Sequence, residues 1–307
     1  MHPTAYLTHP LCLAHDTGPN HPERPERLRA IREALARRGL DAHLLFLEAP
    51  AADRALLAQV HDPAYLDALA ASVPTRGRVW LDADTPLSPA SWDAALRGAG
   101  AVAAAVDGVL DGAYRRAFCA VRPPGHHAER ARAMGFCLLN NIAVGAARAL
   151  ARGLERVAIL DFDVHHGNGI EDIVAGDPRI LYCSTFQHPW YPYSGTGRHA
   201  ANIPPVPLPA GTDGKAYRAA VETHWGPALE DFRPQLILVS AGFDAHRADP
   251  LAGLNLETAD FRWLGEWIGA RADAHAGGRV VAALEGGYDL HALGESASAH
   301  IEALARD

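Results

Sequence analysis

The run Arg156-Val157-Ala158-Ile159-Leu160-Asp161-Phe162-Asp163-Val164-His165-His166-Gly167-Asn168-Gly169 passes from an apolar, β-branched stretch directly into carboxylates, imidazoles and glycines. A nearly continuous apolar run is the pattern of a parallel strand buried on both faces. We read its strand as Arg156–Asp161, and similar runs recur at Ala117–Val121, Ile180–Ser184, Leu236–Ser240 and Arg279–Leu284. Longer helical patterns lie between them, at Ser91–Leu110, Leu138–Arg152, Gly214–Asp231 and Thr258–His275. Ser88-Pro89 opens the first of these as an expected N-cap and first-turn proline. The alternation predicts an α/β fold: one open, mostly parallel sheet with helices on both faces. No repeat, low-complexity block or flexible linker divides the chain, so residues 1–307 read as a single domain.

Composition bounds the function. At 49% hydrophobic and 21% charged residues the chain can bury a large core, which argues against disorder. The net charge of −8 argues against a basic face for nucleic acid. No apolar run approaches the ~18 residues of a membrane span. The Met1-His2-Pro3 start lacks the basic and apolar regions of a signal peptide. Cys12, Cys119, Cys137 and Cys183 lie far apart, which excludes a zinc ribbon and offers no disulfide framework. A soluble, cytoplasmic protein is the expectation. The 17 histidines are the unusual number.

Ligands of open α/β sheets bind beyond the carboxyl ends of the strands. Four strand ends here carry metal-ligand or acid–base residue types. In extended chain, Asp161, Asp163 and His165 share one face. Carboxylate plus imidazole is a metal-ligand set, and Asp244 from another strand end would leave a coordination position open. His126 and His127 follow Pro123-Pro124-Gly125 and suit proton transfer. Each needs an acceptor on its far nitrogen, for which Asp161 and Asn168 are the candidates. Tyr288 follows Gly286-Gly287, and its hydroxyl could stabilise a developing oxyanion. His166 reads as structural, and His2, His9, His43, His224, His275 and His300 as surface positions.

Several motifs together carry a resemblance. They are R-P-P-G-H-H-A-E at 122–129, G-F-C-L-L-N-N at 135–141, D-F-D-V-H-H-G-N-G at 161–169, S-A-G-F-D-A-H-R-A-D-P-L at 240–251 and E-G-G-Y at 285–288. With His21–Leu28 near the start, they resemble the zinc-dependent histone deacetylase family, most closely its class II branch and bacterial amidohydrolase homologues. The resemblance implies the arginase/deacetylase fold, a three-layer α/β/α sandwich around a largely parallel eight-stranded sheet. It implies one Zn2+ per chain on Asp163, His165 and Asp244, with ferrous iron left open as the native metal. His126 and His127 match the tandem catalytic histidines, His127 as general base and later general acid. Asp161 matches the partner of His126. Asn168 stands where other branches have Asp, so His127 should be less basic than in those branches. Tyr288 matches the carbonyl-polarising tyrosine.

Phe136 and Tyr193 match the aromatic walls of an acyl-lysine tunnel, with Gly135, Leu251 and Gly287 also on the substrate side. Asp161 and Ser184 match a structural monovalent-cation site, taken as K+. The implied activity is removal of acetyl or other acyl groups from acyl-lysine side chains, in a peptide, a protein or a small acylated amine. An acetylpolyamine amidohydrolase is the first alternative. Polyamine-selective relatives place Glu where this chain has Leu251, and an apolar residue favours acyl-lysine. A non-catalytic deacetylase-fold binding protein is disfavoured because each ligand and the tyrosine are present. An arginase-like binuclear site is disfavoured because Phe162 and Phe243 adjoin the ligands. A homo-oligomer stays open, as does the role of His21–Leu28 at the tunnel mouth or in a subunit contact.

Overall fold

The computed structural model describes residues 3–306; the Met1-His2 start, and with it the surface reading of His2, lies outside them. The strands are β1 (Thr4–Thr8), β2 (Leu44–Glu48), β3 (Val79–Trp80), β4 (Pro86–Leu87), β5 (Arg116–Cys119), β6 (Val157–Asp161), β7 (Ile180–Gln187), β8 (Pro205–Leu208), β9 (Leu236–Ala241) and β10 (Val280–Leu284). Eight of them form an all-parallel sheet in the order β2-β1-β5-β10-β9-β6-β7-β8, and β3 pairs with β4 in a small antiparallel ribbon. Every residue of β5, β6, β7, β9 and β10 is buried, as expected for strands covered on both faces. The Ser91–Leu110 helix packs on the Asn141–Ala151 helix, and the Leu290–Leu304 helix packs on those at Glu26–Arg37 and Thr258–His275. The result is the α/β/α sandwich of the arginase/deacetylase fold.

Chain order and spatial order differ, and that difference builds the site. The strand ends singled out in the sequence belong to β5, β6, β9 and β10, which are contiguous in the sheet as β5-β10-β9-β6. Their registers align the exits: Ala283 lies opposite Cys119, Leu284 opposite Ala241, and Asp161 opposite Ser240. Residues more than a hundred positions apart therefore leave the sheet side by side.

The sequence reading did not include β1, β2 or β8, or the helices at Glu26–Arg37, Pro63–Ala71, Asn168–Val174 and Leu290–Leu304. β2 and β8 are the two sheet edges, where one side of the strand is left open. β8 carries Pro205 and Pro207, which a sheet tolerates only where a missing N–H leaves no neighbour unpaired. Ser88 is not the N-cap of the Ser91–Leu110 helix. Ala90 holds that position without a side-chain bond. The Ser88 hydroxyl instead accepts from the Asp16 N–H at 3.0 Å and pairs with the Ser91 hydroxyl at 3.0 Å. His9 and His300 are buried rather than on the surface. The His300 Nδ1 bonds the Phe261 carbonyl at 3.1 Å, and burial pushes this imidazole down to about 4.

Candidate active site

Asp163, His165 and Asp244 converge just past the ends of β6 and β9, with one ligand atom from each lying within 4.8 Å of the others. Their orientation is set by main-chain donors. Asp163 accepts from the His165 N–H at 2.9 Å and, across the sheet, from the Gly286 N–H at 2.8 Å. Asp244 accepts from the Val164 N–H at 3.0 Å. The His165 Nδ1 then faces both carboxylates, 3.1 Å from Asp163 and 3.2 Å from Asp244. A Cβ on Gly286 would overlap the Asp244 carboxylate, so the close approach of β10 requires glycine there.

The electrostatics ask for a cation. Burial and the neighbouring Asp163 raise the Asp244 acid. Burial alone would lower the imidazoles of His126 and His165, yet the surrounding carboxylates push both up to about 10. Two buried carboxylates and an imidazole drawn to positive charge are a donor set that fits a divalent metal such as zinc.

The two adjacent histidines are separately oriented. His126 Nδ1 lies 3.2 Å from Asp161 Oδ2, which also accepts from the Tyr182 hydroxyl at 3.0 Å. The main-chain N–H groups of Gly125 and His126 donate to the fully buried Glu285 at 2.6 and 3.1 Å. His127 Nδ1 lies 2.8 Å from the Asn168 side-chain oxygen. The Asn168 amide nitrogen donates to Glu129 at 2.7 Å, so its oxygen has to face His127. An oxygen there makes Nδ1 the protonated nitrogen and leaves Nε2 as an acceptor. Burial and the nearby His126 and His165 hold His127 well below the ordinary imidazole range. A neutral imidazole with a free Nε2 is the form a general base needs.

Above these groups lies a cavity of about 220 Å3 lined by Asp84, His127, Gly135, Phe136, His165, Trp190, Tyr191, Tyr193, Leu251 and Tyr288. Phe136 stacks edge-on to Tyr288 at 5.8 Å. The opposite wall includes Tyr193, as expected, together with Tyr191, and the two stand at different depths. Tyr193 is 75% exposed, whereas the Tyr191 ring packs edge-on to His127 at 5.3 Å and to His165 at 6.0 Å. Tyr191 is therefore the aromatic wall next to the histidines, and Tyr193 stands at the outer rim. Two aromatics two residues apart cannot be told apart by spacing; the turn at Tyr193 decides. Gly287 is displaced from the expectation: it lies behind the tyrosine, its carbonyl accepting from Arg27 at 2.7 Å, and is not a lining residue. Arg27 also donates to the Glu285 carbonyl and stacks over the Tyr288 ring at 4.9 Å.

Asp84, Trp190 and Tyr191 were not identified from the sequence. Asp84 lies before β4, far from every strand-end motif, and nothing in its local pattern marks it. His166 bonds Ser194 at 2.8 Å and lies 2.8 Å from Glu171, outside the cavity lining. Ser184 lies directly across β6–β7 from Asp161, and its buried hydroxyl has no hydrogen-bond partner among the described residues. His21 packs edge-on to Phe136 at 4.8 Å, and its Nε2 lies 3.2 Å from the Asp84 carbonyl, so this residue of the His21–Leu28 segment touches two residues of the cavity lining.

The histone deacetylase domain model matches residues 21–304. A histone deacetylase-like amidohydrolase of Pseudomonas aeruginosa is 40% identical over 93% of this chain and 81% of its own length. The human polyamine deacetylase HDAC10 is 37% identical over 93% of this chain and 45% of its own length. Among solved structures, the HDA15 HD domain superposes with a TM-score of 0.93 at 34% identity, over 99% of this chain and 90% of that one. With the strand-end carboxylates and histidines gathered as described, the chain belongs to the histone deacetylase family, a family of metal-using hydrolases.

Proposed function

We propose that the chain is a zinc-dependent deacetylase that hydrolyses acyl-lysine side chains or related amides, with residues 1–307 acting as one deacetylase domain. The observation that carries this reading is the Glu129–Asn168–His127 relay, which leaves the His127 Nε2 free in a cavity shared with His165 and Tyr288. Zinc held by Asp163, His165 and Asp244 would supply Lewis acidity and a more acidic bound water. His127 takes a proton from the attacking water through Nε2. The water oxygen bonds to the acyl carbon while the Tyr288 hydroxyl donates to the carbonyl oxygen and stabilises its growing charge. His127 then gives its proton to the departing amine as the C–N bond breaks, leaving a carboxylate and a free amine. Asp161 orients His126 beside this centre, and Phe136, Tyr191 and Leu251 keep water from the acyl chain. Gly135 lets the wall close down: its φ is +56°, and a Cβ there would overlap the His127 ring. The unpartnered Ser184 hydroxyl opposite Asp161 supports a structural K+. Four free cysteines and no helix apolar enough to cross a membrane, among the described residues, support a cytoplasmic protein.

Asp84 favours a second reading. A carboxylate lining the cavity could hold the distal ammonium of an acetylpolyamine, offsetting the apolar Leu251. A panel of acetyl-lysine peptide, longer acyl-lysines, acetylputrescine and acetylspermidine, run on metal-defined enzyme, separates the two. Peptide turnover with one zinc per chain is expected. Turnover of the polyamines alone would move the assignment to the second reading, and no turnover of any of them with zinc bound would overturn both.

A further inference from the structure

Asp249 stands between the catalytic tyrosine and the tunnel wall. The residue is 7% exposed, and the hydrogen bonds to its carboxylate all come from main-chain N–H groups. One carboxylate oxygen accepts from Leu251 at 3.0 Å. The other accepts from Tyr288 at 2.7 Å and Asp289 at 3.4 Å, groups from the opposite end of the β10 turn. The Leu251 carbonyl in turn accepts from the indole of Trp190 at 2.8 Å. A hydrogen-bonded chain thus runs from the rim aromatic, through the apolar wall residue, to the backbone of the tyrosine. Among the described residues no cationic side chain pairs with Asp249, so its carboxylate is buried against main-chain dipoles alone, a costly placement. The Leu251 bond is a local turn that a serine or asparagine could make. The bond to Tyr288 spans 39 residues and has no such local substitute.

We propose that Asp249 is a positioning residue that couples the tunnel wall at Leu251 to the placement of the Tyr288 hydroxyl, so that filling the tunnel and aligning the tyrosine are one event. This rests on the acyl-lysine reading of the cavity. An asparagine at 249 keeps the size but turns one acceptor into a donor, so it can satisfy the Leu251 N–H or the Tyr288 N–H and not both.

The test is a double-mutant cycle on the zinc-loaded full chain, read by kcat for an acetyl-lysine peptide. Zinc content and thermal midpoint serve as controls on folding. Asp249→Asn is expected to lower kcat by 10- to 100-fold with zinc content unchanged. In a Tyr288→Phe background the same change is expected to cost less than twofold, because the hydroxyl it positions is already absent. Trp190→Phe, at a position 39% exposed, breaks the far end of the chain. It is expected to lower kcat severalfold in the parent and by a clearly smaller factor in the Tyr288→Phe enzyme, where only the contact of Trp190 with the cavity is lost. Equal losses in both backgrounds, from either substitution, would overturn the coupling. Failure of the parent itself to turn over the peptide would count against the substrate reading instead.

Discussion

At the floor of the cavity the carboxylates of Asp163, Asp244 and Glu285 accept main-chain N–H bonds from neighbouring strand ends or turns. At the rim, Tyr193 is mostly exposed, and the Trp190 side chain bonds only the Leu251 carbonyl among the described residues. The floor is as rigid as the sheet that carries it, because its charged groups are held by backbone that the strand registers already place. The rim is held by side chains on loops, where position costs little to change. Substitutions in the floor should therefore cost the most turnover, and those in the rim the least.

The sharpest way to break that contrast is to remove a ligand. Asp244→Asn is expected to abolish turnover and lower the bound metal below one per chain, measured by metal analysis and peptide hydrolysis; retained zinc with full activity would remove Asp244 from the floor. Tyr288→Phe is expected to lower kcat by about 10²–10³-fold with zinc retained, the scale of losing one oxyanion donor. Unchanged kcat would strip the hydroxyl of its role.

Beneath the floor, Glu23 bonds both Arg122 and Arg27, all three fully buried. Burial would raise this acid, but the two guanidinium groups outweigh it and hold it down to about 2. A depressed folded value stabilises the fold above the ordinary glutamate range near 4.5 and is lost as pH falls from there toward 2. The contribution is on the order of 3 kcal/mol. Urea unfolding from pH 6 to pH 3 should show this loss, and Glu23→Gln should be less stable at pH 6 and flatten the slope.

A smaller effect is expected at Asn168. Asn168→Leu leaves the His127 Nδ1–H without its acceptor, and a loss of about 10- to 100-fold in kcat/KM is expected from the pH-rate profile. The two tyrosines of the wall separate by depth. Tyr191→Ala should lower kcat/KM by about tenfold through lost aromatic contact. Tyr193→Ala should stay within about twofold, as an exposed position does. The reverse order would overturn that separation.

The site was legible where chemistry and strand period coincide. Asp163 and His165 follow directly on the end of β6, so two of the three grouped ligands are written within three positions, whereas Asp161, expected on the same face, pairs instead with His126 because the chain bends after the strand ends. The aromatic wall was legible only in part: Phe136 and Tyr193 line the cavity as read, but Trp190 and Tyr191 were missed. Trp190, Tyr191 and Tyr193 lie within four positions in a loop, and only the course of that loop decides which ring meets His127. Asp84 lies outside every quoted motif, and Asp249, though inside the 240–251 motif, bonds the Tyr288 N–H 39 residues away, a partner that no local pattern names.

By itself the sequence determined the central buried strands, the helices that alternate with them, and the residue types capable of metal and proton chemistry. These depend on local periodicity and on side-chain chemistry, both written within a few residues. The tertiary structure decided which strand ends become neighbours, because strand order β5-β10-β9-β6 departs from chain order. It also decided the edge strands, the burial of His9 and His300, and the side of the cavity each tyrosine faces. Those are set by contacts between distant segments, which no local pattern encodes.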